Sequence, residues 1–185
     1  MNDNNEKLYN YVDMDGNIYL LGEFDDTISK NVTHNLVKLI DEQSALKEGT
    51  INFYINSNGG YDHELFNLLA LIAIAKQKGI KITTTVLGRA YSAASLLAVQ
   101  GDYRRMYKHA DHLLHYGTAS GEAKTPVQAT RLKKHLDTKF NYMLSLYTEH
   151  TKLTRKWLEE HMYDDDLRLN AQECLKYGLV DEVIG

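Results

Sequence analysis

Three short stretches of the 185-residue chain collect the residue types that acyl-transfer chemistry uses. In the run Gly88-Arg89-Ala90-Tyr91-Ser92-Ala93-Ala94-Ser95, Ser92 falls at a strand-to-helix turn among small residues. A hydroxyl at such a turn is exposed and the next N–H opens a helix, which suits a nucleophile. The same position suits a plain helix N-cap. Ser95 is a second candidate, but it falls inside the helix, where its hydroxyl is less free. The run Ile55-Asn56-Ser57-Asn58-Gly59-Gly60 ends an apolar strand in two glycines. Uncovered backbone N–H groups there can hold a developing oxyanion, although Gly-Gly turns at strand ends are also common for purely structural reasons. The third stretch supplies bases and acids. His115 follows Leu113-Leu114, His109 and His112 are alternatives, and Asp164, Asp165 and Asp166 could orient an imidazole or form a solvated acidic turn. Composition and periodicity do not choose among these.

The surrounding pattern says which elements must carry them. A short buried strand is expected over 18–21. Behind Asp26-Thr27, the residues Ile28, Val32, Leu36, Leu39 and Ile40 recur at three- and four-residue steps, as in an amphipathic helix. A strand over 51–56 leads through the Gly-Gly turn to a helix over 62–78, apolar almost all round and therefore expected to be buried. A β-branched strand over 80–87, a turn at 88–91 and a helix from Ser92 follow. Short strands are expected over 103–107 and 111–115, then a small-residue loop over 117–125. The helix expected over 127–150 is too long to pack wholly on one small sheet, so it should project toward an oligomer contact. A helix over 155–162 precedes a last helix, Gly178 and a final strand within 170–183. Residues 1–15, polar and Asn/Asp-rich, read as a flexible arm ahead of one domain over 16–185. Alternation of strands and helices implies a largely parallel sheet with crossover connections.

Bulk properties narrow the function classes. Hydrophobic residues make up 43% and charged residues 25%, as in a soluble globular domain. A net charge of -4 with scattered basic residues argues against a nucleic-acid partner. The N-terminus lacks the basic and apolar regions of a secretory signal, and the apolar run over 65–75 is interrupted by Asn67 and too short to span a bilayer. No membrane association and a cytoplasmic location are expected. The single cysteine, Cys174, reads as a packed small apolar residue, and no zinc-type spacing accompanies the eight histidines, so no metal or other cofactor is expected.

Taken together and in order, the motifs resemble the proteolytic subunit of the Clp protease family. INSNGG (55–60), GRAYS (88–92), LLH (113–115) and DLRLNAQECLKYGLVDEVI (166–184) are similar to that family's blocks, and GNIYLLGEFDD (16–26) to its first strand and turn. The resemblance runs from about residue 16 to the end. It implies an α/β, crotonase/ClpP-like fold of repeated β-β-α-type units, with a largely parallel sheet and a projecting long helix. It implies a serine endopeptidase in which Ser92 is the nucleophile, His115 the general base and Asp166 the residue that orients the imidazole. Gly60 and Ala93 would supply the oxyanion-hole N–H groups. A polypeptide substrate and a homo-oligomeric ring, heptameric and stacked as a tetradecamer, follow from the same resemblance. It leaves a Clp-type ATPase partner undecided, because Asn52 stands where the family has an aromatic docking residue. Asn58, Tyr91, Ala94, Ser95, Tyr116 and Gly117 also depart from the family pattern, which leaves room for a phage-type capsid maturation protease, a latent structural ring subunit or an acyl-CoA-binding crotonase relative.

Overall fold

The computed structural model describes residues 9–116, 123–162 and 166–185. Its strands are β1 (Asn10–Val12), β2 (Asn17–Leu20), β3 (Thr50–Ser57), β4 (Lys81–Tyr91), β5 (Tyr103–Tyr107), β6 (Asp111–Leu114), β7 (Leu167–Asn170) and β8 (Glu182–Ile184). The α-helices are α1 (His34–Ser44), α2 (Asp62–Gln77), α3 (Ala93–Ala98), α4 (Pro126–His150), α5 (Arg155–Met162) and α6 (Ala171–Tyr177). A π-helical segment, Ile28–Thr33, leads into α1.

The strands form one eight-stranded sheet ordered β1-β2-β3-β4-β5-β8, with β6 and β7 branching from β4. Among the described residues only the β1–β2 and β6–β7 pairs are antiparallel. The branch arises because β4 is long. Its first part, Thr83 to Val86, pairs with β5, while Arg89 to Tyr91 pairs with β6. The sheet therefore divides at the end of β4, where Ser92 follows.

Along β3, Ile51, Phe53, Ile55 and Ser57 are buried while Asn52, Tyr54 and Asn56 are half-buried. Period-two alternation of this kind means that one face carries the core and the other is only partly covered. The core joins Ile18, Phe53, Ile55 and Val86 of the sheet to Leu36, Leu65, Leu68, Leu97, Leu144 and Tyr147 of the helices. On the other face Tyr11, Tyr19 and Tyr54 stack in series, with ring centroids 4.9 and 5.0 Å apart, and the Asn52 amide donates to Asn17 Oδ1 at 3.2 Å.

Several expectations change. Residues 1–8 lie outside the described residues, but the boundary expected at residue 16 does not match the edge of the sheet. Asn10–Val12 pairs with β2, and the buried Asn10 amide donates to the Glu23 carbonyl and Thr27 Oγ1, both at 2.8 Å. Polar composition read as a free arm because such fully bonded amides leave no local signal. The turn expected at 88–91 is strand, since β4 runs on to Tyr91. β7 was not expected: four residues are too few to show alternation, and its pairing with β6 is long-range. Helix α2 is not buried all round. Phe66 and Ile74 are exposed, and Phe66, Leu69, Ala70 and Ala73 line an apolar groove of about 530 Å³ against His135, Thr138 and Tyr142 of α4.

The long helix does project. From Pro126 to Lys139 its residues are exposed or half-buried, and burial begins at Phe140. Among the described residues, no helix is long and apolar enough to cross a membrane.

Candidate active site

Ser92 occupies a one-residue turn between β4 and α3. Its N–H donates to the Leu113 carbonyl at 2.8 Å, and its own carbonyl accepts from Ser95 N–H at 3.0 Å. Its φ of 53° and ψ of -124° make it the non-glycine residue with positive φ among those described. Such a conformation costs on the order of 1–3 kcal/mol and persists only where neighbours impose it. Here the Gly59-Gly60 turn does so. A Cβ on Gly59 would lie 2.5 Å from the Tyr91 carbonyl oxygen and 2.8 Å from Ala93 N, so only glycine lets this turn lie against the Ser92–Ala93 step. Gly60 in turn packs on Phe24, where a Cβ would meet the carbonyl oxygen at 2.4 Å.

The hydrogen bonds around Phe24 run from Phe24 N–H to the Gly59 carbonyl and from Tyr61 N–H to the Phe24 carbonyl, both 2.7 Å. Gly60 N–H takes no part in that pairing. Ala93 is the first residue of α3, where N–H groups have no partner within the helix. Gly60 and Ala93 line one small pocket of about 70 Å³ with Ser92 and His115.

His115 follows β6 directly. Its Nε2 lies 2.7 Å from Ser92 Oγ, and its Nδ1 lies 4.0 Å from Asp166 Oδ1. The first is a full hydrogen bond; the second is an ion-pair distance that must shorten by about 1 Å to become one. Strand register explains the meeting. Leu114 is opposite Leu167 in the antiparallel β6–β7 pair, so the next position on each side is His115 and Asp166.

The other candidates go elsewhere. Ser95 is fully buried, 2.9 Å from His112 Nδ1, and accepts from the Tyr147 hydroxyl at 3.0 Å. His112 is likewise fully buried, and its Nε2 has no hydrogen-bond partner among the described residues. Burial pushes the His112 imidazole down to about 3, with a smaller contribution from Arg104. The ring is therefore neutral and closed off from substrate. His109 is exposed in the turn between β5 and β6. Asp164 and Asp165 lie outside the described residues. Cys174 is buried, donates to the Leu169 carbonyl at 3.4 Å, and has its thiol pushed up to about 12 by burial. It fits the packed role expected from sequence, not that of a reactive thiol.

A model described as Clp protease matches residues 1–185. The chain belongs to the Clp protease family. Over 151 residues it is 32% identical to the ATP-dependent Clp protease proteolytic subunit of Deinococcus radiodurans, covering 79% of this chain and 69% of that protein. It is 29% identical over 182 residues to the proteolytic subunit 1 of Nocardia farcinica, covering 96% of this chain and 87% of the relative. The proteolytic subunit 2 of Streptomyces avermitilis is 31% identical over 169 residues, with 90% and 81% covered. As a member of the Clp protease family the chain is a serine-type endopeptidase, and its mixed α/β architecture with a mostly parallel sheet and a long helix is the ClpP-like fold.

Sequence reasoning missed the pocket's remaining walls. Leu96, Leu136 and Met143 form an apolar side, while Asp62 of α2 and Lys139 of α4 join in an ion pair within the same lining. Positions so far apart in the chain share no local pattern that would group them.

Proposed function

We propose that Ser92, His115 and Asp166 are the catalytic triad of this endopeptidase, with Gly60 and Ala93 N–H as oxyanion donors. The observation that carries this reading is the 2.7 Å contact between His115 Nε2 and Ser92 Oγ at the mouth of a pocket that both donors line. Neutral His115, protonated at Nδ1, accepts the Ser92 proton as Oγ attacks the scissile carbonyl. Negative charge then develops on the carbonyl oxygen, where the two N–H groups receive it. Removing one donor of this kind costs about 10²–10³-fold in rate. The imidazolium gives its proton to the departing amine, and water enters to hydrolyse the acyl-serine through the same base. No step consumes a nucleotide, so short peptides should be cleaved without ATP.

The polypeptide substrate would reach this site inside a homo-oligomeric ring, proposed as a heptamer that stacks into a tetradecamer. The exposed half of α4, the apolar α2–α4 groove and the incompletely covered sheet face support burial against further copies. Native mass spectrometry of the purified chain tests it; a monomer at micromolar concentration would count against the ring.

One distance favours a second reading. The 4.0 Å gap between His115 and Asp166 suits a resting site that tightens only on assembly or substrate binding. Labelling with a fluorophosphonate probe, read by intact mass, separates the two. Wild type labelled at one site and Ser92→Ala unlabelled is the expected result. Labelling of both, or of neither in every assembly state, would overturn the triad assignment.

A further inference from the structure

We propose that Tyr91, Asp111 and Arg168 form a clamp across three strands that holds Asp166 in register with His115, and that Arg168 and Tyr91 are positioning residues for the reaction. The proposal rests on the triad reading given above. Each candidate catalytic residue adjoins the end of a different strand: Ser92 follows Tyr91 of β4, His115 follows Leu114 of β6, and Asp166 precedes Leu167 of β7. Relative placement of these three strand ends therefore sets the site geometry.

Tyr91 pairs in register with Leu113, and Leu113 with Arg168, so the three form one row across β4, β6 and β7. Residues in one row project to the same face of a sheet, as does Asp111 two positions from Leu113. Leu113 is buried yet lies outside the main core cluster, as expected for a side chain covered from this second face. Over it, Arg168 Nη1 donates to the Tyr91 hydroxyl at 2.8 Å and reaches Asp111 Oδ2 at 3.3 Å. The guanidinium carbon stands 5.0 Å from the Tyr91 ring centroid, within cation–π range. Tyr91 O–H donates to the Asp111 carboxylate, whose two oxygens are each 3.0 Å away.

The clamp matters because β7 is weakly tied. Among the described residues it pairs only with β6. Arg168 adds an attachment that passes over β6 and fixes β7 to β4, the strand carrying Ser92. A slip of β7 by one residue would carry Asp166 away from His115 and turn its side chain to the other face. The inference also explains Tyr91, a large residue where the sequence pattern expects a small one: its ring reaches outward from the nucleophile turn to meet Arg168 and Asp111.

The test uses the full-length protein and a fluorogenic peptide, with pH profiles of kcat/KM for wild type, Arg168→Ala, Tyr91→Phe, Asp166→Asn and Arg168→Ala/Asp166→Asn. The Asp166→Asn profile is the reference for loss of the carboxylate beside His115. Asp62 and Lys139 also line the pocket, but they are paired and identical in every variant. Arg168→Ala should lower kcat about tenfold or more with little change in KM, because small displacements of an aligned group are costly. It should also shift the acid limb in the direction of Asp166→Asn. Tyr91→Phe keeps the ring and should show a smaller shift of the same sign, with the melting temperature near that of wild type. In the double variant, Arg168→Ala should add little to Asp166→Asn. An unshifted acid limb in both Arg168→Ala and Tyr91→Phe, or fully additive losses in the double variant, would overturn the clamp. If Asp166→Asn itself leaves rate and profile unchanged, the triad reading fails first and the clamp falls with it.

Discussion

Ser92 can hold a positive φ because a glycine stands where any side chain would strike the turn. Gly59→Ala would add a Cβ at 2.5 Å from the Tyr91 carbonyl and impose φ of +86° on alanine. We expect a loss of about 1–3 kcal/mol in stability together with loss of probe labelling, read by thermal melting and intact mass. A second residue-level prediction concerns His112, whose imidazole is held at about 3 against its ordinary 6.5. Between those values the unfolded chain binds a proton that the folded chain does not. Stability is therefore full above about pH 6.5 and falls as pH drops toward 3, by about 1.4 kcal/mol per unit in the middle of that window. Replacing both partners by apolar residues, as in Ser95→Ala/His112→Val, should remove this slope in urea titrations across pH. Ser95→Ala alone leaves the His112 Nδ1 and the Tyr147 hydroxyl without their shared partner and should cost about 1–3 kcal/mol.

Helices α2 and α4 both reach the pocket beside Ser92, and the Asp62–Lys139 ion pair joins them at the pocket wall. Both side chains are partly exposed, so the pair contributes at most about 1 kcal/mol to stability. Its effect should appear in substrate choice instead. Lys139→Ala removes one wall beside Leu136 and Met143, and should shift preference toward larger side chains on the acyl side of the cleaved bond. A panel of fluorogenic peptides varied at that position reads the change, and an unaltered ranking would count against this wall. The contrast with α3 is instructive. Every residue of α3 is buried, so it serves as a fixed base for Ser92, whereas the exposed half of α4 is free to meet other copies.

Arg104 ties the C-terminal segment to the sheet and to the end of α4. Its guanidinium donates to the carbonyls of His150, at the end of α4, and Gly178, and it grips the Asp181 carboxylate through Nε at 3.0 Å and Nη2 at 2.7 Å. One side chain thus joins β5, the base of the projecting helix and the tail leading into β8. The Arg104 hydrogen bond holds the Asp181 carboxyl below the usual carboxylate range. That contribution is present above the ordinary 3.8 and is lost as pH falls through the lower folded value. Arg104→Ala should cost about 2–3 kcal/mol near neutral pH and flatten the acid-unfolding profile below about pH 4. Denaturant titrations at pH 7 and pH 3 measure both effects.

Much of this was legible in the residues themselves. Alternating strands and amphipathic helices announced a largely parallel α/β sheet, because burial imposes a period on any chain that forms one. Length alone announced that the helix after Pro126 would project. Ser92 and the Gly59-Gly60 turn stood out as candidates because small residues at a strand end are a local requirement, whereas His115 was singled out among the histidines only by the resemblance to the Clp protease family. Tertiary structure decided the rest. Composition and periodicity left His112 open beside His115, and burial closed it off with Ser95 and Tyr147. Register between β6 and β7, a four-residue pairing with no sequence period, brought Asp166 opposite His115. Tyr91, Asp111 and Arg168 carry no shared motif, and neither do Asp62 and Lys139. Contacts between residues distant in sequence depend on how strands align and helices pack, and one-dimensional patterns record each element's burial but not its neighbour.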